Sequence, residues 1–545
     1  MTLRVALAQC NPTVGDLSGN LDLLRRNLVG ARSHDAHLVV FPEMALCGYP
    51  PEDLLLKKHF LLECRRLVDA FAADCKDLTA LVGFPEFDND GCYNSLAVCR
   101  HGRIDAVYRK CLLPNYGVFD ERRYFHAGSA ALAIVEKNLS LVLTICEDIW
   151  DIEALSASLA SVPKKDVIIN IAASPFHAGK LQQRQDIISA AARRFGSAVV
   201  YCNLIGCQDE LVFDGRSMVF DASGSPVLQG RPFREDLIVF DMAPGDKGPV
   251  IRPVLVSTMK LPSDPVAEVY EALILGIRDY VHKNGFQKVL IGMSGGIDSA
   301  LTAALAVDAL GPRNVVSLTM PTRYNSPDTI NDAKLTAQNL GIDIHTVPIG
   351  DLLSNFSRAL HQVPGWDEKG LAYENLQARI RGTILMTLSN QLGCMVLTTG
   401  NKSETAVGYS TLYGDTAGGF AVIKDVPKTL VYQLSHYINR LHGRELIPRS
   451  VIDRIPSAEL RDNQKDSDSL PEYDILDRIL KGYVEQIKSG QQLIDEGFPP
   501  DIVNKVIRLI DRSEYKRRQC PPGIKITPRA FGKDRRMPIT NKYSF

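Results

Sequence analysis

The sequence predicts an α/β protein of two domains, 1–260 and 261–545: a pair of sheets sandwiched by helices, then a doubly wound parallel sheet. Three observations lead there. A chain of 545 residues exceeds the roughly 250–300 residues at which single cores stop growing. In the first half, hairpins are mixed with helices, which a purely parallel sheet does not allow. From Lys288 onward strand and helix alternate, as in βαβ units.

Leu3 to Ala8 reads as the opening strand, and Asn20 to Ala31 as an amphipathic helix with Leu21, Leu24 and Leu28 on one face. His37 to Phe41 is a buried strand running into Pro42-Glu43, and Phe60 to Cys75 a second helix. Ala80–Pro85 and Asn94–Cys99 are strands, and Arg103–Tyr108 pairs with the latter across Arg100-His101-Gly102. Leu139 to Ile145 is a strong strand delivering Cys146-Glu147-Asp148; Val167–Ile171, Ala198–Asn203 and Ser217–Asp221 continue the series. Pro244 to Asp264, rich in Pro, Gly and isolated charges, is expected to leave the sandwich, with the boundary near Pro262. Pro265–Lys283 is then an amphipathic helix with Val269, Leu273, Ile277 and Val281 inward. Strands at Lys288–Ile291, Asn314–Met320, Asp343–Pro348 and Met395–Thr399, with helices at Ser326–Leu340 and Tyr373–Leu392, form the second sheet. Ligands of such sheets bind at the carboxyl ends of the strands.

Composition bounds the function. Apolar residues make up 45% and charged residues 23%, the balance of a globular chain. A net charge of −1 gives no reason to expect nucleic acid or a membrane as a bulk partner. Twelve cysteines stand without a C-x-x-C pair, so neither a zinc site nor a disulfide framework is expected, and a cytoplasmic setting is. The N-terminus runs straight into a strand without a signal-peptide core, and no apolar run is long enough to span a bilayer.

The most informative stretch is Gly292-Met293-Ser294-Gly295-Gly296-Ile297-Asp298-Ser299. A buried strand leads in and an Ala/Leu helix leads out. Mostly small residues between them let backbone amides approach a ligand, and the helix N-terminus adds positive potential. The Walker A lysine is missing. The bland reading is a tight turn with Asp298 as a cap. The S-G-G-x-D-S run instead resembles the loop of the ATP pyrophosphatases, which split ATP into AMP and pyrophosphate; Asp298 would then face Mg²⁺.

In the first half, Glu43, Lys110 and Cys146 each end a strand. Singly they read as a solvated turn acid, a surface lysine and a small core residue. Together, in the contexts F-P-E, Y-R-K and I-C-E-D, they resemble the Glu-Lys-Cys triad of the nitrilase superfamily, amidases with an α-β-β-α sandwich. Amide hydrolysis through a thioester needs a nucleophilic thiol, a carboxylate to carry protons, and an ammonium to lower the thiol pKa and stabilise the oxyanion. The resemblance assigns those roles to Cys146, Glu43 and Lys110. It also matches Glu121 to a second acid that orients Lys110, the alternative being a surface pair with Arg122 or Arg123. Tyr116, Ser174 and Lys180 stand where glutamine-using members hold the amino acid's α-groups.

Three further segments join the S-G-G-x-D-S loop: the helix start at Glu374–Gly382, the strand end Thr398–Glu404, and the polar run Gly408–Phe420 with Lys424 and Lys428 beyond it. These resemble NAD synthetase, and end to end the chain is similar to the glutamine-dependent NAD synthetase family. The second sheet is then of the adenine-nucleotide-hydrolase type. The resemblance implies that Gly292 to Ser299, Thr399, Lys428 and Ser457 handle ATP, that Asp298 and Glu404 hold Mg²⁺, and that Asn375, Glu404 and Lys516 touch deamido-NAD. Ser457 stands where many members have threonine, and Gly419 where some ammonia-dependent members have aspartate. Ser457–Leu470, almost without apolar anchors, is expected to order only over substrate. The basic tail, Lys516 to Arg518 and Arg535-Arg536, suits phosphate contacts or solvation.

The implied activity is amidation of deamido-NAD through an adenylate, with ATP going to AMP and pyrophosphate. Ammonia from glutamine would be passed between the domains in a closed passage, in a homo-oligomer. The alternative is a nitrilase-type amidase fused to an ATP pyrophosphatase that amidates another carboxylate. Asparagine synthetase needs a mature N-terminal cysteine, which Met1-Thr2-Leu3 lacks. GMP synthetase needs a Cys-His-Glu glutaminase of different fold, and no histidine follows Cys146 in a suitable setting. A scaffold that has lost activity would not keep Glu43, Lys110 and Cys146 together.

Overall fold

The computed structural model describes residues 1–88, 91–255 and 264–543. The chain forms two compact units, Met1–Ser263 and Asp264–Phe545; the boundary expected near Pro262 lies outside the described residues.

The first unit holds a seven-stranded and a six-stranded sheet. The larger runs in the order Val250–Leu255, Asp236–Ala243, Leu3–Gln9, Leu38–Val40, Thr79–Asp88, Gly91–Arg100 and Arg103–Arg109. The smaller runs Pro226–Gln229, Met218–Phe220, Ala198–Asn203, Val167–Ala172, Leu139–Ile145 and Leu132–Glu136. Period-two alternation explains the layering. Leu3, Val5 and Leu7 point into the core shared by the two sheets, with Leu141, Leu143 and Val200 opposite. Ala6 and Ala8 point the other way, under helices Leu17–Ser33 and Lys58–Asp74, where Leu21, Leu24, Leu28 and Val68 meet them.

One expectation fails here. The segment expected to leave the sandwich carries the edge strand Val250–Leu255, paired antiparallel with Asp236–Ala243. Its Pro253 donates no ladder hydrogen bond, which an edge tolerates and a central strand does not. The prolines, glycines and charges around and within it suggested a linker, and Arg252-Pro253 breaks the alternation a strand would show.

The second unit is a five-stranded, all-parallel sheet in the order Asp343–Thr346, Val315–Thr319, Lys288–Gly292, Cys394–Thr398, Phe420–Ala421. Helices Ile297–Leu310 and Leu371–Leu392 both pack on the strand Lys288–Gly292. The order reverses between that strand and Cys394–Thr398, which opens a crevice at their carboxyl ends. A helical layer continues from Lys428 to Arg517, with Leu476, Ile479, Val503 and Val506 in its core. Among the described residues no helix is long and apolar enough to cross a membrane.

Candidate active sites

In the first unit three strand ends converge. The chain after Leu38–Val40 passes tightly over Gly83, where a Cβ would lie 2.4 Å from the Met44 nitrogen and 2.6 Å from the Pro42 oxygen. Only glycine lets Glu43 sit there. Oε1 of Glu43 accepts from Asn94 Nδ2 at 2.7 Å and from Lys110 Nζ at 2.8 Å, and Oε2 from the Ala173 N–H at 2.8 Å. Lys110 also donates to Glu121 Oε1 at 2.8 Å, and the Tyr49 hydroxyl donates to the same oxygen at 2.9 Å. Glu121 is buried, so it is no surface partner of Arg122 or Arg123.

Cys146 opens a tight 3₁₀ turn, Cys146–Ile149, at φ +42°, a strained conformation for a side-chain-bearing residue. The residue is 4% exposed, and its thiol lies where the charges of Glu43, Lys110 and Glu147 act on it. Burial, with Glu43 adding to it, pushes the thiol well above its ordinary value despite the pull of Lys110. The expected lowering of the thiol by the ammonium is therefore outweighed by burial and by the charge of Glu43. Burial alone would strip Lys110 of its proton, but Glu121 and Glu43 hold it firmly. Burial drives Glu121 up to about 7. At rest the site is thus a neutral thiol beside an ionised Lys110.

The other candidates lie around this centre. The Tyr116 hydroxyl donates to both oxygens of Glu147, at 2.9 and 3.0 Å. Ser174 follows the Ala173 N–H that binds Glu43; its oxygen atoms accept from the buried Arg184, itself paired with Asp214 at 3.1 Å. Lys180 Nζ stands 3.9 Å over the Trp150 ring, and burial and Arg184 lower its pKa to about 8. Asn94, Tyr49, Trp150, Arg184 and Asp148 were missed from sequence. Only the adjacency of Asp148 to Cys146 hinted at any of them.

In the second unit a cavity of about 590 Å³ lies over the crevice. Gly292 to Ser299, Thr399, Glu404, Lys428 and Ser457 all line it. Gly295 has φ +84°, and a Cβ there would lie 2.1 Å from the Thr329 carbonyl oxygen. Ser294 and Ser299 hydroxyls meet at 3.1 Å, and the Gly296 N–H donates to Ser294 at 3.2 Å. Lys428 Nζ bonds Asp298 at 2.5 Å and reaches Glu404 at 3.7 Å; Asn401 Nδ2 donates to Asp298 at 3.0 Å. Burial and Asp298 push Glu404 up to about 8. Among the described residues no three acids, histidines or cysteines form a metal cluster. Two carboxylates with one of them short of positive charge fit an ion that takes most of its oxygens from phosphates and water.

Asn375 and Lys516 do not line the cavity. Asn375 accepts from Thr411 at 2.7 Å, and Lys516 donates to the Gly408 and Ser410 carbonyls, both at 2.7 Å. Both act on the run 408–416, whose Tyr409, Ser410 and Asp415 do line it. A Cβ at Gly419 would meet Met395 at 3.0 Å. The 457–470 segment lies over the cavity. Glu459 accepts from Thr329 at 2.8 Å and Asn325 at 3.0 Å, and Gln377 donates to the Leu460 carbonyl at 2.9 Å. Polar anchors replace the missing apolar ones. The basic tail is spent internally: Arg517 on Glu514 at 2.8 Å, Arg535 on Asp511 at 3.0 Å. Two features of this unit, Arg381 in the cavity wall and Lys402 behind it, escaped the sequence reading. Arg381 donates to the Met320 carbonyl at 2.9 Å, and buried Lys402 bonds Glu485 at 2.7 Å, Thr527 at 2.6 Å, Asp425 at 3.0 Å and the Arg529 carbonyl at 3.2 Å.

Comparison with known proteins follows this division. The carbon-nitrogen hydrolase family matches residues 4–252 and the NAD synthase family residues 269–520. The glutamine-dependent NAD(+) synthetase of Thermotoga maritima is 46% identical, covering 99% of each chain. The chain belongs to the glutamine-dependent NAD(+) synthetase family. Its relative from Aquifex aeolicus is 43% identical over 99% of this chain and all of its own. A solved glutamine-dependent NAD+ synthetase from Acinetobacter baumannii, in complex with ADP, is 40% identical with a TM-score of 0.79 over 99% of each chain. As a glutamine-dependent NAD(+) synthetase the chain is a ligase with glutamine as amide donor, and amidation of another carboxylate is not favoured.

Proposed function

We propose that Cys146, Glu43 and Lys110 release ammonia from glutamine and that the cavity of the second unit activates deamido-NAD with ATP. The Cys146 sulfur attacks the side-chain carbonyl carbon as its proton passes to Glu43. Lys110 stabilises the oxyanion, the C–N bond breaks, and ammonia leaves with the proton from Glu43. Water, deprotonated by Glu43, then cleaves the thioester to glutamate. Tyr116, Ser174 and Lys180 orient the α-groups of glutamine.

In the second unit the carboxylate of deamido-NAD attacks the α-phosphorus of ATP, pyrophosphate departs, and an adenylate forms. The amides of Gly292 to Ser299 with Lys428 neutralise phosphate charge, while Thr399 and Ser457 hold the rest of ATP. Asp298 and Glu404 would hold Mg²⁺, which when bound supplies further charge neutralisation on the phosphates. Asn375, Glu404 and Lys516 serve deamido-NAD, Asn375 and Lys516 by shaping the run 408–416. Ammonia then attacks the adenylate carbonyl and AMP leaves, giving NAD. Ammonia is protonated and lost in water at neutral pH, so the reading includes a closed passage, in a homo-oligomer.

The observation that carries the reading is the enclosure of Lys110 between Glu43 and Glu121 beside the Cys146 turn, in a chain whose second unit has the S-G-G-x-D-S cavity. Cys146→Ala tests it: glutamine-driven synthesis should vanish while ammonia-driven synthesis persists, with AMP and not ADP as product. Loss of both, or of neither, overturns the scheme.

A further inference from the structure

Asp148 has no role in the chemistry above, yet it is buried two residues after the nucleophile with both carboxylate oxygens filled. Oδ1 accepts from the N–H groups of Cys111 at 3.0 Å and Leu112 at 2.8 Å, the residues that follow Lys110. Oδ2 accepts from the Ile145 N–H at 2.9 Å, the residue before Cys146, and from the Tyr108 hydroxyl at 2.8 Å, two residues before Lys110. One carboxylate therefore ties together two chain segments that are remote in sequence, and each of them presents one member of the reacting pair. The Cys146 turn, at φ +42°, needs such an outside constraint to persist.

We propose that Asp148 is a positioning residue of the glutaminase reaction: its carboxylate fastens the turn bearing Cys146 to the segment bearing Lys110 and so sets the separation of thiol and ammonium. The inference rests on the assignment of those two residues made above. Hydrogen bonds from N–H to carboxylate are charge-assisted and about twice as strong as neutral ones, and a shift of about 1 Å at reacting atoms costs about 100-fold in rate.

Asp148→Asn keeps shape but turns an amide NH₂ against N–H donors on one side. In the full-length protein it should lower glutamine-driven kcat by about 100-fold, with KM for glutamine little changed and ammonia-driven synthesis intact. The decisive readout is the pH profile of Cys146 alkylation by iodoacetamide, followed on the Cys146 peptide by mass spectrometry. The thiol faces Glu43, Lys110, Glu121 and Glu147. Its charge is also felt by Tyr49, Tyr116, Lys180, Arg184 and Tyr201. Removing a nearby negative charge alone would move the profile to lower pH; withdrawal of Lys110 moves it to higher pH, the expected result. A downward or unchanged profile, or unchanged kcat, overturns the proposal. If the variant does not fold, Tyr108→Phe decides. It removes one of the four bonds without altering charge, and should lower kcat by about tenfold with the same upward shift; no change overturns the proposal. Cys146→Ala run in parallel separates the two ideas, since glutamine-driven turnover surviving there would sink the underlying assignment instead.

Discussion

Lys180 offers a titration at the rim of the first unit's site. Its ammonium, pressed on the Trp150 ring and losing its proton at about 8, is charged below that pH and neutral above it. If it pairs with a carboxylate of glutamine, binding weakens as pH rises through about 8, so KM for glutamine should climb about tenfold per unit beyond it. Lys180→Arg, which stays charged, should flatten that climb, and a wild-type KM constant to high pH would refute the pairing. At this scale the sequence was informative where strand ends carry unusual residues in company, as with Glu43, Lys110 and Cys146. It was silent on Asn94 and Arg184, and gave Asp148 only by its nearness to Cys146, because a buried hydrogen bond across distant segments leaves no local pattern. Asn375 and Lys516, carried over from resemblance, touch the run beside the cavity instead of lining its wall.

Among the elements, the strand–loop–helix at 288–310 was the most legible, since each part follows from local chemistry: apolar strand, small-residue turn, Ala/Leu helix. Gly295 is its tightest point. Gly295→Ala must relieve an overlap with the Thr329 carbonyl and occupy a left-handed backbone, a conformational cost of about 1–3 kcal/mol before the clash is counted. ATP–pyrophosphate exchange should fall to background while glutamine hydrolysis at Cys146 continues; normal exchange would show the loop indifferent to its shape. The failure at this scale is the strand Val250–Leu255, where Arg252 and Pro253 break the period-two alternation that would mark a strand. The 457–470 segment, poor in apolar residues, is anchored through Glu459 and the Leu460 carbonyl.

For the whole molecule, the reading assigns distinct chemistry to each compact unit, and substitutions should respect that division. Asp298→Ala removes the carboxylate that holds Lys428 and Asn401. ATP cleavage should be lost with glutamine or ammonia alike, while slow glutamine hydrolysis remains measurable as glutamate. Retained cleavage would mean the cavity is not the ATP site. The division into two folds was readable from length and from the change of strand rhythm, whereas the long-range ties inside each were not. The Lys402 cage is one such tie, and it behaves as a clasp. Thr527 and Arg529, two of its jaws, lie downstream of the stretch, 269–520, that matches the NAD synthase family. A protein cut after Gly523 would retain every residue of the cavity wall. It would nonetheless take Thr527 and the Arg529 carbonyl from a buried ammonium two residues before Glu404, leaving Glu485 and Asp425 to hold it alone.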